Sequence, residues 1–345
     1  MHKNLPFDNK NKLFCAHLID FFLTFLYLCS MRVATIGFFD GVHKGHQFLL
    51  RQVIAEAKQV GGIPACVTFD CPPRMVVKKG EEERGVLLTT LSEKKWLLQQ
   101  MGIEDLKVLH FTPEMAQMSA KEFMIRVLKL EMDVGVLVIG YDHRFGHNRT
   151  EGFEDYVRYG EEIGIRVIQA EAYEENHITI SSSFIRETLL QGRVADSRKL
   201  LGYNYFIEGV VVGGFKVGRK LGYPTANIEV AAEKLIPCDG VYAVQADIEE
   251  CRSGGSAGVA DNTSLTANRS TRTTFSGMLN IGWRPTFNGN RRTIEVNLFD
   301  FDGNIYSEHI TIRFIDFLRP EQKFGSPEAL IQQLALDEQK ARSLL

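Results

Sequence analysis

Apolar residues occur first in short runs separated by helical spacing and later in alternation, and that change of pattern divides the chain. Arg32 to Ile36, Ala65 to Phe69, Leu106 to Leu109, Val134 to Ile139 and Ile165 to Ala170 are short apolar runs of the kind that form buried parallel strands. Between them lie helices. Gln47 to Gln59 puts Leu50, Val53, Ile54 and Ala57 on one side. Thr90 with Glu93 makes a capping box for a helix that Gly102 closes, Ser119 with Glu122 makes another for a helix to about Met132, and a further helix covers Phe153 to Glu162. This order predicts an α/β fold, a Rossmann-like parallel sheet with helices on both faces that binds ligands at the carboxyl ends of its strands.

From about Gly202 short strands follow one another: Tyr205 to Val212, Val241 to Ile248, Met278 to Ile281, Thr293 to Phe299 and His309 to Phe317. Period-two alternation and frequent glycine predict a small antiparallel β-barrel, with a final helix capped by Ser326 and opened by Pro327. The expected organisation is an extension 1–30, a first domain 31–201 and a second domain 202–345. Within the second, 249–276 is rich in Ser, Thr, Gly, Asn and Arg and reads as a mobile surface insertion.

A chain of 345 residues, 44% hydrophobic, can bury two cores, and a net charge of −3 argues against nucleic acid as a partner. The 6 cysteines show no C-x-x-C pair and no zinc spacing, which suits reduced thiols in a cytoplasmic protein. Cys66 and Cys71 are expected at the two ends of one strand, with no metal. Leu13 to Cys29 is strongly apolar, but it is shorter than the roughly 20 residues of a spanning helix, and Asp20 near its middle would cost about 3 kcal/mol there. The preferred reading is a fold that starts at Met31 without a membrane anchor; a weak anchor is the alternative. A monomer or weak homo-oligomer is expected.

The densest chemistry lies in the turn between the first strand and its helix, Gly37-Phe38-Phe39-Asp40-Gly41-Val42-His43-Lys44-Gly45-His46. Gly37, Gly41 and Gly45 lack a Cβ, which lets a ligand approach the backbone, and the helix turns free N–H groups and its positive dipole end toward it. That predicts a phosphate site. If the helix begins near Val42, His43 and His46 share one face of its first turn and can neutralise charge on a phosphate under attack. Two solvated histidines in a glycine-rich loop are the plain alternative. The run resembles the H-x-G-H signature of the nucleotidyltransferase superfamily, in the longer form found in bacterial FAD synthetases. The resemblance implies transfer of a nucleotidyl group with loss of pyrophosphate, with His43 and His46 catalytic and Gly37, Phe39, Asp40 and Gly45 at the phosphates.

Three more segments match at strand ends. Thr68-Phe69-Asp70-Cys71-Pro72-Pro73-Arg74 resembles that family's Phe-Asp-Pro-His-Pro-Arg segment, but Cys71 and Pro72 stand where Pro and His are usual, so one imidazole is missing. Gly140-Tyr141-Asp142-His143-Arg144-Phe145-Gly146 resembles its Gly-x-Asp-Phe-Arg-Phe-Gly loop, which makes Asp70, Asp142 and Arg144 flavin or nucleotide contacts. Ile180 to Arg186 reads alone as a helix cap with an arginine one turn on. It resembles the Ile-Ser-Ser-x-x-Ile-Arg motif, in which Ser181, Ser182 and catalytic Arg186 clamp the triphosphate.

In the second domain Gly213 to Asn227 is glycine-rich but lacks the ending of a Walker A loop. Its part from Gly218 on, Gly-Arg-x-Leu-Gly-Tyr-Pro-Thr-Ala-Asn, resembles the riboflavin kinase signature. That implies ATP phosphates at Gly218, Arg219, Gly222 and Pro224, and Mg2+ at Thr225 and Asn227, which otherwise read as turn residues. Neutral oxygen ligands suit magnesium. Glu295 faces opposite to Ile294 and Val296, into solvent or into the barrel mouth, and the resemblance makes it the general base for the ribityl hydroxyl. Asn297 stands where the family often has His.

Together the two motif sets resemble the bacterial bifunctional riboflavin kinase/FMN adenylyltransferases, whose substrates and products are riboflavin, FMN, FAD and ATP. One alternative is a kinase alone, with adenylyl transfer impaired by Cys71 and Pro72. The other is a flavin-binding regulator without turnover.

Overall fold

The structure, a computed structural model, describes residues 31–73, 76, 87–141, 143–147, 150–173, 180–213, 218, 221–249, 272–286 and 289–345. They form two compact units. The first takes the described residues up to 76 and those from Lys94 to 173; the second takes 87–93 and everything from Ile180 on.

In the first unit the apolar runs pair in parallel as β1 (Arg32–Ile36), β2 (Ile63–Phe69), β3 (Asp105–Leu109), β4 (Val134–Ile139) and β5 (Arg166–Gln169), in the spatial order β3-β2-β1-β4-β5. Ala34 of β1 lies opposite Ala65 of β2 and Leu137 of β4, so β1 is central and its carboxyl end opens between those of its neighbours. α1 (Lys44–Val60) buries Leu50, Val53 and Ala57 and stops at Gly61, whose φ of 68° suits a residue without a Cβ. Ser119 and Glu122 form the expected capping box, but the helix they open changes form: after Ala120–Phe123 it runs as a π-helix over Met124–Glu131. Phe123, Met124 and Leu128 pack with Ile36, Val67 and Leu137 in one core. Cys66 sits in the middle of β2, buried, and Cys71 lies beyond its end, so the two do not flank the strand as expected.

The second unit is a closed antiparallel barrel of β6 (Phe206–Val212), β7 (Ala226–Val230), β8 (Gly240–Glu249), β9 (Arg272–Thr286), β10 (Gly289–Leu298) and β11 (His309–Arg319), in the order β10-β7-β6-β11-β8-β9. Ser326 caps the final helix, Pro327–Leu344, by accepting from Ala329 N, and Ala341 packs against the outer wall at Val241, Ala243 and Met278. Three features depart from the sequence reading. β7 is a strand that the sequence reading does not contain, and its Asn227 reads there as a turn residue. β9 begins at Arg272, so residues 272–276 of the expected insertion are strand; 250–271 lie outside the described residues. The units divide before Ile180 rather than near Gly202, because Ile185 and Leu189 of one helix (Ser182–Leu190) and Val194 and Leu201 of the next (Val194–Leu201) fill the barrel core.

Two candidate active sites

At the end of β1 the chain turns through three residues with positive φ, Phe39 at 55°, Gly41 at 79° and Val42 at 34°. For Phe and Val that conformation costs on the order of 1–2 kcal/mol each, so the surroundings must impose it. They do so through buried side chains and carbonyl contacts. Phe39 and Val42 are buried, Val42 N donates to Phe39 O at 3.1 Å, and Gln47 Nε2 donates to Val42 O at 2.9 Å. Phe38 O accepts from Thr68 Oγ1 and from Lys94 Nζ, each at 3.1 Å.

α1 begins at Lys44 rather than near Val42, and His43 is its N-cap: Nδ1 accepts from His46 N at 3.4 Å. The His43 and His46 rings stack with centroids 3.6 Å apart. The room left by absent Cβ atoms goes to side chains here rather than to a ligand. A Cβ on Gly37 would lie 2.9 Å from the Phe39 ring, and one on Gly45 3.3 Å from the His43 ring. Because Nδ1 of His43 accepts, its proton in the neutral ring sits on Nε2, which is left as a donor. Burial pushes His43 down to about 4; it also pushes His46 well below its ordinary value, helped by His43, His143 and Lys94. Both imidazoles are therefore neutral at pH 7 while no anion is bound.

That arrangement makes the first unit acid-sensitive. The unfolded chain takes a proton at His43 near pH 6.5 and the folded one only near 4, so stability falls as pH drops through that window, by about 3 kcal/mol from this residue. Protonation also removes the cap. Urea unfolding followed by Trp96 fluorescence in a Trp283→Phe background should show this loss between pH 7 and pH 4. His43→Asn, which keeps a capping side chain, should lose that much less. Equal acid sensitivity in both proteins would place the His43 ring in solvent.

At the end of β2, Asp70 is drawn toward β3. Burial raises its pKa, but bonds with His110, Phe111 N and Cys71 outweigh that and leave it below the usual carboxylate range. Beyond β4, Asp142 lies outside the described residues, Arg144 is exposed, and Phe145 stacks on Tyr156 at 4.4 Å, which anchors the loop. His110, His143 and Lys94 were not singled out by the sequence. Their signal was positional, since each falls at or beside a strand end or a capping box.

In the second unit Ser181 caps its helix by accepting from Phe184 N at 3.2 Å, the plain reading of that serine; Ser182 and Arg186 are half-buried on the first two turns. Glu295 lies directly opposite Asn227 in the ladder between β10 and β7. Ile294 and Val296 belong to the barrel core, so Glu295 lies half-buried on the outer wall, not inside the barrel. Its oxygens accept from Thr293 Oγ1 at 3.3 Å and Thr225 Oγ1 at 3.5 Å. Thr225, Asn227 and Glu295 are thus brought together, although Thr225 and Asn227 had no structural role in the sequence beyond a turn. Gly218 closes the preceding loop: its carbonyl accepts from Leu221 N and Tyr223 N, and a Cβ would lie 2.2 Å from Tyr223 O. Asn297 donates to Pro224 O at 2.7 Å and so holds the loop to the strand. Gly222 is exposed with φ 84°; Arg219 lies outside the described residues.

Comparison with known proteins finds two family matches, with their boundary later in the chain than the division between the compact units. A family model of FAD synthetase matches residues 29–184, and one of riboflavin kinase matches residues 201–345. The bifunctional riboflavin kinase/FMN adenylyltransferase of Listeria monocytogenes is 34% identical over 316 residues, covering 90% of this chain and 92% of that protein. Those of Bacillus subtilis and Escherichia coli are 33% and 32% identical, each covering 90% of this chain and 91% of its own length. A crystal structure described as a macrolide-efflux protein from Streptococcus pneumoniae matches with a TM-score of 0.78 at 31% identity, over 91% of this chain and 94% of that one.

Proposed function

This chain belongs to the family of bifunctional riboflavin kinase/FMN adenylyltransferases, and from that premise we propose how its side chains divide the chemistry. The enzyme phosphorylates riboflavin to FMN with ATP, and adenylylates FMN with a second ATP to give FAD and pyrophosphate. The barrel carries the first reaction. Glu295 takes the proton of the riboflavin 5′-hydroxyl as that oxygen bonds to the γ-phosphorus and the bond to the bridging oxygen of ADP breaks. Thr225 and Asn227 beside it offer only oxygen donors, a set that fits Mg2+. Bound there, magnesium supplies charge neutralisation across the phosphates. Gly218, Gly222 and Pro224 shape the loop that holds those phosphates, and Arg219, outside the described residues, would supply a charge to them.

The parallel-sheet unit carries the second reaction. An FMN phosphate oxygen bonds to the α-phosphorus of ATP, and pyrophosphate leaves with the electrons of the broken bond. His43 donates from Nε2, and His46 beside it can accept a proton as the anion arrives, because an adjacent negative charge favours the protonated ring. Gly37, Phe39, Asp40 and Gly45 fix the turn, and Asp70, Asp142 and Arg144 meet flavin or nucleotide; for Ser181, Ser182 and Arg186, which belong to the second unit, the family motif implies a role at the ATP phosphates. Among the described residues no helix is long and apolar enough to cross a membrane. We place both reactions in the cytoplasm, a reducing compartment that suits the free thiols of Cys66, Cys71 and Cys238.

The observation that carries this reading is Glu295 lying opposite Asn227 and within hydrogen-bond reach of Thr225. The test is a chromatographic time course with riboflavin, ATP and Mg2+. FMN should appear first and FAD after it. FMN that accumulates without FAD would mean that Cys71 and Pro72 have cost the chain its second activity, and no FMN at all would overturn the assignment.

A further inference from the structure

Lys94 is 2% exposed, and no motif accounts for it. Its ammonium donates to Phe69 O at 2.7 Å and to Phe38 O at 3.1 Å, and lies 4.1 Å from the centroid of the Phe38 ring. One side chain thus ties the carboxyl end of β2 to the turn that leaves β1. A buried ammonium on two neutral carbonyls is a costly way to join two strands, and an apolar side chain would fill the volume without desolvating a charge. Burial pushes Lys94 down to about 8 against the pull of Asp40 and, more weakly, Cys66, Asp70 and Cys71.

What the contact holds is more telling than its cost. Phe38 immediately precedes Phe39, the first of the residues with positive φ, and the same carbonyl also accepts from Thr68 Oγ1. Release of this carbonyl would let the turn relax toward ordinary backbone angles. That relaxation would move Val42 and His43, and with them the cap that sets the proton on His43 Nε2.

We propose that Lys94 is a positioning residue for adenylyl transfer, which clamps the carbonyls of Phe38 and Phe69 so that the strained turn holds the His43 and His46 rings in one geometry. The inference rests on the assignment of adenylyl transfer to this unit. If the wild-type chain makes no FAD, that assignment fails; if it makes FAD and Lys94 is dispensable, this inference fails alone.

The test uses the full chain with Lys94→Met. FAD formation from supplied FMN should lose about 30-fold in kcat, the scale expected of a small misplacement of reacting groups, with KM changed less than about threefold. FMN formation from riboflavin by the same protein should stay within about twofold of wild type. Long-range 1H–15N spectra should show His43 as one Nε2-protonated tautomer in the wild type and as a mixture in the variant, a change that general loosening elsewhere would not give. A kcat within about threefold of wild type, or an unchanged His43 tautomer, would overturn the proposal. If Lys94→Met does not fold, Lys94→Gln, which keeps an N–H for one carbonyl, decides by the same criteria.

Discussion

Glu295→Gln should reduce riboflavin phosphorylation by at least about 100-fold while FAD formation from supplied FMN stays within about twofold. The substitution keeps the shape of the side chain and one oxygen that can still accept from Thr225 or Thr293, so the loop and the ladder pairing with Asn227 stay in place. What it removes is the capacity to take a proton. The loss should therefore fall on kcat, with KM for riboflavin and ATP little changed, because an amide binds the ground state about as well as a carboxylate does. Phosphoryl transfer passes through a loose transition state in which the attacking hydroxyl loses its proton late, so some rate should survive. Steady-state kinetics of each half-reaction on one preparation give both numbers. A variant that retains more than a tenth of the kinase kcat would move the base away from Glu295, and a parallel loss of FAD synthesis would mean that the substitution had damaged the fold.

What the sequence made legible follows the range of the interactions involved. The five parallel strands, the two capping boxes and the helix after the phosphate turn announce themselves in local pattern; the strands and caps lie within about two residues of their expected places, and the helix runs from Lys44, three residues before Gln47. β7 follows the same rule, since Ala226, Ile228 and Val230 alternate with Asn227 and Glu229, yet a five-residue strand directly after a glycine-rich run is easily read as the end of a turn. The sequence boundary near Gly202 did not show that the helices at 182–201 pack on the barrel, because the apolar residues that receive them come later in the chain, in the barrel strands. In the first site the histidines were legible as a pair. Their stacking, the cap at His43 and the positive φ of Phe39 and Val42 were not, because Lys94 and Thr68 impose that geometry from other elements. Glu295 was legible as facing away from Ile294 and Val296; that it meets Thr225 and Asn227 is a property of barrel closure, where β10 pairs with β7.

Long-range charge pairing was least legible of all, and it carries the largest expected effect on stability. Glu93, foreseen only as a cap for Thr90, also meets Lys234: Nζ lies 2.6 Å from Oε2, and both side chains are fully buried. Lys234 donates further to Leu88 O at 2.7 Å and lies 4.6 Å from the Tyr205 ring, while the other Glu93 oxygen accepts from Glu208 N at 3.3 Å. Lys234→Met should cost the second unit about 3–5 kcal/mol, because it strands a carboxylate in the core. Adding Glu93→Gln should recover part of that, since a neutral amide leaves no charge to solvate and its one oxygen can still accept from either Thr90 N or Glu208 N, though not from both. Guanidinium unfolding followed by Trp283 fluorescence in a Trp96→Phe background measures both. A cost below about 1 kcal/mol for Lys234→Met would show that water reaches Glu93. The pair stabilises little relative to a well-packed apolar pair, so its role lies in register: Leu87 N donates to Glu233 O and Leu235 N donates to Leu87 O, a short bridge that a shift of one residue would turn inside out. A buried ammonium matched to one buried carboxylate of opposite charge disfavours that shift, and the double variant should therefore regain stability while this short segment exchanges its amide hydrogens faster than in the wild type.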